Sequence, residues 1–192
     1  MPTDPARLTP GQLKILQAVA TLLEDPNARI TISEIAKEIQ VTDGAIYRHY
    51  RNKDAIFKSI VSYMEANLLT PLQTVQNQST DTYRRLQIVF ETYMTFLEGH
   101  PGLARLMLGH SAIESAGLGE RMKLLHGKLR AQVAQLLKFG QAQGVLRAEL
   151  QPEQGAELFY GLVIATAMTQ SYDLPYIDQA QRWSIFKHAV FK

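Results

Sequence analysis

The sequence contains no cysteine. That excludes a disulfide framework, a thiolate metal site and a cysteine nucleophile, and it suits a reducing compartment. Long apolar runs are missing as well: about 18 consecutive apolar residues would be needed for a membrane-spanning helix, and no such run occurs. The stretch Met1 to Thr9 carries prolines and charges without an apolar core, so no secretory signal is expected there and a cytoplasmic location is. An excess of one charge sign is also lacking. A net charge of +2 over 192 residues is too small to mark a nucleic-acid binder by composition, so any cationic surface has to be local. Catalytic signatures are absent too. There is no phosphate-binding glycine loop, no HExxH and no nucleophile–base pairing that spacing would place together, so an enzyme is not expected. What remains, 46% hydrophobic and 20% charged residues, is the composition of an ordinary globular chain. The length allows one substantial core or a small module joined to a larger one.

Apolar residues recur at helical spacing nearly throughout, which predicts an all-α fold. Thr9, Pro10, Gly11 and Gln12 read as a capping box with proline at the first helical position, opening a helix with Leu13, Leu16, Val19, Ala20 and Leu23 on one face. Pro26 and Asn27 end it. Thr31, Ile32, Ser33 and Glu34 predict a second box, opening a short helix that buries Ile35, Ala36 and Ile39. After the interruption at Gln40 and Val41, Thr42 with Asp43 predicts a cap for a third helix, Gly44 to Tyr50, whose inner face is Ala45, Ile46 and Tyr50. Asn52 is placed to cap a fourth helix from Lys53 to Leu69, which Pro71 is expected to kink or restart.

The segment Thr31 to Lys53 therefore reads as two short helices around a tight turn, a helix-turn-helix. From Gly44 to Lys53 it holds Tyr47, Arg48, His49, Arg51 and Lys53 with no acidic residue. A helix lying in a major groove needs an exposed face free of carboxylates, because the adjoining phosphates repel them and released counterions supply much of the affinity. The alternative is a small three-helix core whose polar face merely carries charge.

The run VTDGAIYRHYRNKDAIF, Val41 to Phe57, resembles the DNA-binding signature of the TetR family of bacterial regulators: a small residue, then an aliphatic-Tyr-x-His-aromatic run, then a lysine. The resemblance covers Leu13 to about Ile60. It implies a helix-turn-helix domain at residues 1–54 and a helical ligand-binding and dimerisation domain at 55–192. By matched position, Thr31 and Ser33 approach backbone or bases, and Thr42 contacts phosphate while capping the third helix. Asp43, Gly44, Ala45 and Arg48 face base edges or the groove. Tyr47 and His49 touch phosphates, and Lys53 anchors the strand. Asp43 departs from the pattern, and a role in holding the helix N-terminus is favoured over base contact.

Beyond Thr70 further helices are expected. Thr80 or Asp81 opens one that ends at Gly99 to Gly102; a short one follows through Leu103 to Met107; a long one ends at Gly144; another runs from Pro152 to Tyr172; and the last carries Trp183 and Phe186. The final two are apolar on more than one face, and the resemblance implies that they join a four-helix bundle across a two-fold axis, with Leu162, Trp183, Phe186 and Val190 as interface residues. The implied partners are double-stranded DNA, a second copy of the chain and an unknown small-molecule effector, with no membrane involved. Tyr93, Leu97, Leu103, Met107, His110, Met122, Leu125, His126, Phe159, Val163 and Thr166 are the candidate effector-pocket residues, although such positions usually just pack. No carboxylate or cysteine spacing completes a metal site around His110 and His126, so neither metal nor cofactor is expected. A second similarity, carried by AIYRHYRNK, by PGLARLMLGH at Pro101 to His110 and by RWSIF at Arg182 to Phe186, points to the nucleoid-occlusion branch of the family. That branch implies a C-terminal domain contacting a cell-division protein instead of a metabolite.

Overall fold

The computed structural model describes residues 8–78, 81–109 and 117–192, and its regular elements there are all helices. The chain opens with α1 (Pro10–Leu22), α2 (Ile32–Glu38), α3 (Asp43–Tyr47) and α4 (Lys53–Gln78). Local chemistry sets their starts. The Thr9 hydroxyl accepts from the Gln12 amide and the Gln12 side chain accepts from the Thr9 amide at 3.0 Å, the expected box with Pro10 in the first turn. Thr31 accepts from the Glu34 amide at 3.1 Å, and Asn52 accepts from the Ala55 amide at 2.9 Å to start α4. Ile15, Val19, Ile35, Ile46, Ile56 and Phe57 close the small core between these helices.

Three features depart from the sequence expectation. α3 stops at Tyr47, because the next amides bond backwards in a turn, His49 and Tyr50 both onto the Ile46 carbonyl, before Asn52 begins the next helix. Thr42 precedes α3 with extended geometry, but its hydroxyl makes no capping hydrogen bond. α4 runs through Pro71 to Gln78 as one helix. Proline there removes a single backbone bond, and the burial of Ile60, Met64 and Leu68 just upstream keeps the helix in register.

Between α2 and α3 the chain reverses through Gln40, which takes the left-handed conformation at φ 57°. The Gln40 and Val41 amides then bond the carbonyls of Lys37 and Ala36 at 3.1 and 2.9 Å. A side chain in that region is disfavoured, so Gln40→Gly is expected to stabilise the chain by about 0.5–1 kcal/mol, a rise of about 1–4 °C in thermal melting. A lower melting temperature would show that Gln40 holds the turn by side-chain contacts instead.

The larger part of the molecule comprises α5 (Thr82–Gly99), α6 (Pro101–Met107), α7 (Leu118–Ala142), α8 (Pro152–Tyr172) and α9 (Gln179–Val190). Asp81 caps α5 by accepting from the Tyr83 amide; Thr80, the other expected cap, lies outside the described residues. Gly144, at φ +70°, closes α7, its amide bonding the Gln141 carbonyl while the Val145 amide reaches Gly140. The centre of this body is aromatic. Phe90 meets Phe159 and Trp183 at centroid separations of 5.7 and 5.4 Å, and Phe186 meets Phe159 at 5.3 Å, mostly edge-on or tilted as ring quadrupoles favour. One continuous apolar core runs from α1 to Phe191, and the boundary expected at residue 54 falls in the first turn of α4, the helix that connects the two parts. Among the described residues, no helix is long and apolar enough to cross a membrane.

Candidate nucleic-acid interface and ligand cleft

α3 is oriented from the inside. Ile46 is fully buried, and buried Tyr50 donates its hydroxyl to Ser59 of α4 at 3.0 Å; burial also pushes the phenol's pKa up, keeping it a neutral donor. Fixing those two side chains turns the opposite face outward, where Asp43, Gly44, Tyr47, Arg48 and His49 are exposed, Tyr47 to 53%. An exposed tyrosine of that size with no packing role needs another explanation than the core. Ala45 and Lys53 are half-buried beside this face, while Thr31, Ser33 and Thr42 are exposed on its α2 side. Nine of the ten residues expected at the DNA surface thus lie on α2, α3 and their immediate flanks, and the tenth, Lys53, opens α4. Arg48, Arg51 and Lys53 have no carboxylate partner among the described residues. Among the described residues they form a cationic edge without a carboxylate partner, whereas Lys128–Glu65, Arg130–Glu157 and Lys138–Glu153 pair α7 with α4 and α8.

Two contacts refine the expectation. The Ser33 hydroxyl donates to the Asp43 carboxylate at 2.7 Å, stitching α2 to α3, so this acidic side chain is engaged within the protein. The His49 ring lies over the first turn of α1: a Cβ built on Gly11 would fall 2.4 Å from His49 Nε2. A glycine is required there for the ring to sit at the helix N-terminus.

A second feature is an open cleft of about 1160 Å³ between the end of α6, the first half of α7 and the middle of α8. Of the residues expected in an effector pocket, Met107, Met122 and His126 line it. Tyr93, Leu97, Leu103, Leu125, Phe159, Val163 and Thr166 are instead buried in the packed core and do not line this cleft, and His110 lies outside the described residues. His126 is held on both sides, its Nε2 donating to the Met107 carbonyl at 3.0 Å and its Nδ1 accepting from the Tyr160 hydroxyl. Burial lowers the His126 pKa, so the imidazole is neutral, as that bonding requires. Tyr160, Lys123, Lys128, Arg130 and Ile164 also line the cleft. The sequence did not point to them, because Tyr160 and Ile164 sit half-buried at the margin of the α8 core face and the three cations of α7 read as solvated surface. Among the described residues no group of three metal-ligating side chains occurs.

The expected interface residues of α9 also sit differently. Trp183, Phe186 and Val190 turn inward and are spent on the subunit's own aromatic core, while Leu162 is half-buried. The apolar residues left exposed on the last two helices are Leu158, Met168, Tyr172 and Ile185, the last to 51%.

Residues 15–60, which contain this helix-turn-helix, match the family model of bacterial regulatory proteins of the tetR family. The nucleoid occlusion factor SlmA of Shewanella amazonensis is 34% identical over 126 residues, which make up 65% of this chain and 64% of that protein. At residues 15–60 the chain is similar to the TetR family. SlmA of Serratia proteamaculans is likewise 34% identical over 128 residues, 65% of each chain. The matched segment therefore spans just under two thirds of these relatives. The whole TetR-like fold is shared more widely. The fatty acid degradation regulator FadR from Bacillus halodurans superposes with a TM-score of 0.76 at 19% identity, covering 96% of both chains. FadR from Bacillus subtilis, solved in complex with stearoyl-CoA, superposes at 0.70 with 17% identity over 93% of this chain and 97% of that one.

Proposed function

We propose that this TetR-family chain is a DNA-binding transcriptional regulator that reads an inverted-repeat operator as a homodimer and leaves it when a small molecule occupies the α6–α7–α8 cleft. The observation that carries the DNA-binding part is the outward face of α3: Tyr47 and Arg48 exposed beside unpaired Arg51 and Lys53, with the lone acidic side chain, Asp43, tied to Ser33. A two-fold dimer sets two such helices about 34 Å apart, the spacing of successive major grooves. The effector part is supported by the cleft and by the neighbouring fold of B. subtilis FadR, which holds a small molecule. A change in the seat of α4, which joins the helix-turn-helix to the body, would alter the separation of the reading heads.

Selection of bound duplexes from a random library, followed by a salt titration on the winner, tests this. One inverted repeat with a steep salt dependence is expected. Tyr47→Ala and Lys53→Ala should each weaken binding on every sequence and lower the salt slope by about one, whereas Arg48→Ala should relax base preference. Unchanged slopes in both phosphate variants would remove those assignments.

The identity to SlmA favours a second reading, a DNA-bound nucleoid-occlusion factor whose body contacts a cell-division protein. It predicts the same operator binding, with affinity unaffected by small molecules and a division protein retained on the DNA-bound dimer.

A further inference from the structure

The lining of the cleft is chemically polarised. Its floor is aliphatic, from Leu106, Met107, Met122 and Ile164, and exposed Leu124 extends it towards solvent. Its charged lining residues are all cations, Lys123, Lys128 and Arg130, with no aspartate or glutamate among them. Lys128 is held by Glu65 of α4 at 2.6 Å and Arg130 by Glu157 of α8, while Lys123, exposed at the rim, has no carboxylate partner among the described residues. The remaining polar groups are used up internally: the Tyr160 hydroxyl is spent on His126, and His126 on the Met107 carbonyl. A ligand therefore meets an apolar wall without free hydrogen-bonding groups from that pair, bounded by positive charge. A wholly apolar molecule would leave Lys123 unmatched, and a compact polar anion would leave the aliphatic floor wet.

We propose that the cleft binds an amphipathic anion, an unbranched apolar chain ending in a carboxylate or phosphate head, with the chain over Met107, Met122 and Ile164 and the head beside Lys123. This rests on the reading of the cleft as the effector site, and it adds the effector's chemical class. It also places the head within the same rim as Lys128, whose bond to Glu65 ties α7 to the connecting helix α4. An anion that competes for Lys128 loosens that tie, which gives charge on the ligand a direct path to the reading heads.

The test uses the full chain and three probes of equal chain length, decanoate, decanol and decanoyl-coenzyme A, titrated calorimetrically with operator affinity measured alongside. Decanoate is expected to bind more tightly than decanol, and Lys123→Glu to weaken decanoate by about five- to tenfold while leaving decanol unchanged, the size expected for reversing one exposed charge. Ile164→Trp, which fills the floor, should weaken all three. If decanoyl-coenzyme A alone binds, and Lys123→Glu weakens it, the head is the phosphorylated carrier; if decanoate suffices, it is the free carboxylate. Equal binding of decanoate and decanol, insensitive to Lys123→Glu, overturns the anion assignment. No binding by any probe to a chain that still holds its operator normally overturns the cleft proposal and leaves DNA binding standing. Failure of operator binding with probe binding intact does the reverse.

Discussion

Gly102→Val is expected to lower the melting temperature by about 6–12 °C, corresponding to about 3 kcal/mol for overpacking a contact that cannot yield. Gly102 is buried in α6, and a Cβ built on it would lie 1.9 Å from the Ala20 carbonyl oxygen and 3.0 Å from the Leu23 Cβ, both in or just beyond α1. The nearest atom is backbone, so no rotamer change relieves the overlap, and the two helices must separate. α6 starts against the helix-turn-helix and ends at Met107 in the cleft wall, so the same substitution should also blunt any effect of a cleft ligand on operator affinity. Gly127→Ala is the control. Nothing lies within 4 Å of its Cβ position in α7, and the gain in helix propensity should raise stability by up to about 1 kcal/mol. Equal melting temperatures for Gly102→Val and the parent chain would mean that α6 does not rest on α1 at this point.

That contact illustrates what could be read in the amino-acid sequence and what could not. Helix starts were legible because caps are local: Thr9 with Gln12, Asn52 with Ala55 and Asp81 with Tyr83 are each decided within a few residues. The outward face of α3 was legible for a similar reason, since a five-residue helix with Ile46 turned inward leaves little freedom for Tyr47 and Arg48. Where the sequence misled, distant partners decided. Pro71 was expected to kink or restart α4, but packing upstream holds the helix across one missing bond. Thr42 looked like a cap, while the contact that joins α2 to α3 is made by Ser33 and Asp43 across ten positions of sequence. The cleft was illegible for a different reason. It is a volume between three helices, and the stripe Met122, Leu125, Leu129 marks only which side of α7 is inward, not where the neighbours fail to fill the space. Gly102 was visible merely as a helix-ending glycine beside Pro101, and its close approach to Ala20 depends on tertiary structure alone.

The same distinction between apolar and available governs the proposed dimer. Trp183 and Phe186 are the largest apolar residues of α9, yet both are consumed by Phe90 and Phe159 inside the subunit. Trp183→Glu is therefore expected to unfold the chain, by placing an unpaired carboxylate in an aromatic core, before it reports on association. The exposed apolar residues that could meet a second copy are Leu158 and Met168 on α8 and Ile185 on α9, with exposed Gly161 and Ala165 between them offering little bulk to hold two helices apart. Solvent-facing apolar side chains at helical spacing on two adjacent helices make a self-complementary patch of the kind a two-fold axis uses. The double variant Met168→Glu/Ile185→Glu should keep the parent melting temperature within about 2 °C, because surface substitutions shift stability little and any dimer contribution is lost by dilution. By sedimentation it should be a monomer. Its affinity for a full inverted repeat should fall by about a hundredfold or more, since two linked half-site contacts become one, while its affinity for an isolated half-site stays at the parent chain's single-head level. A dimer of unchanged operator affinity would place the two-fold axis elsewhere on the molecule. A monomer that still held the full repeat tightly would show that one head suffices, and that the spacing of two recognition helices is not what the operator reads.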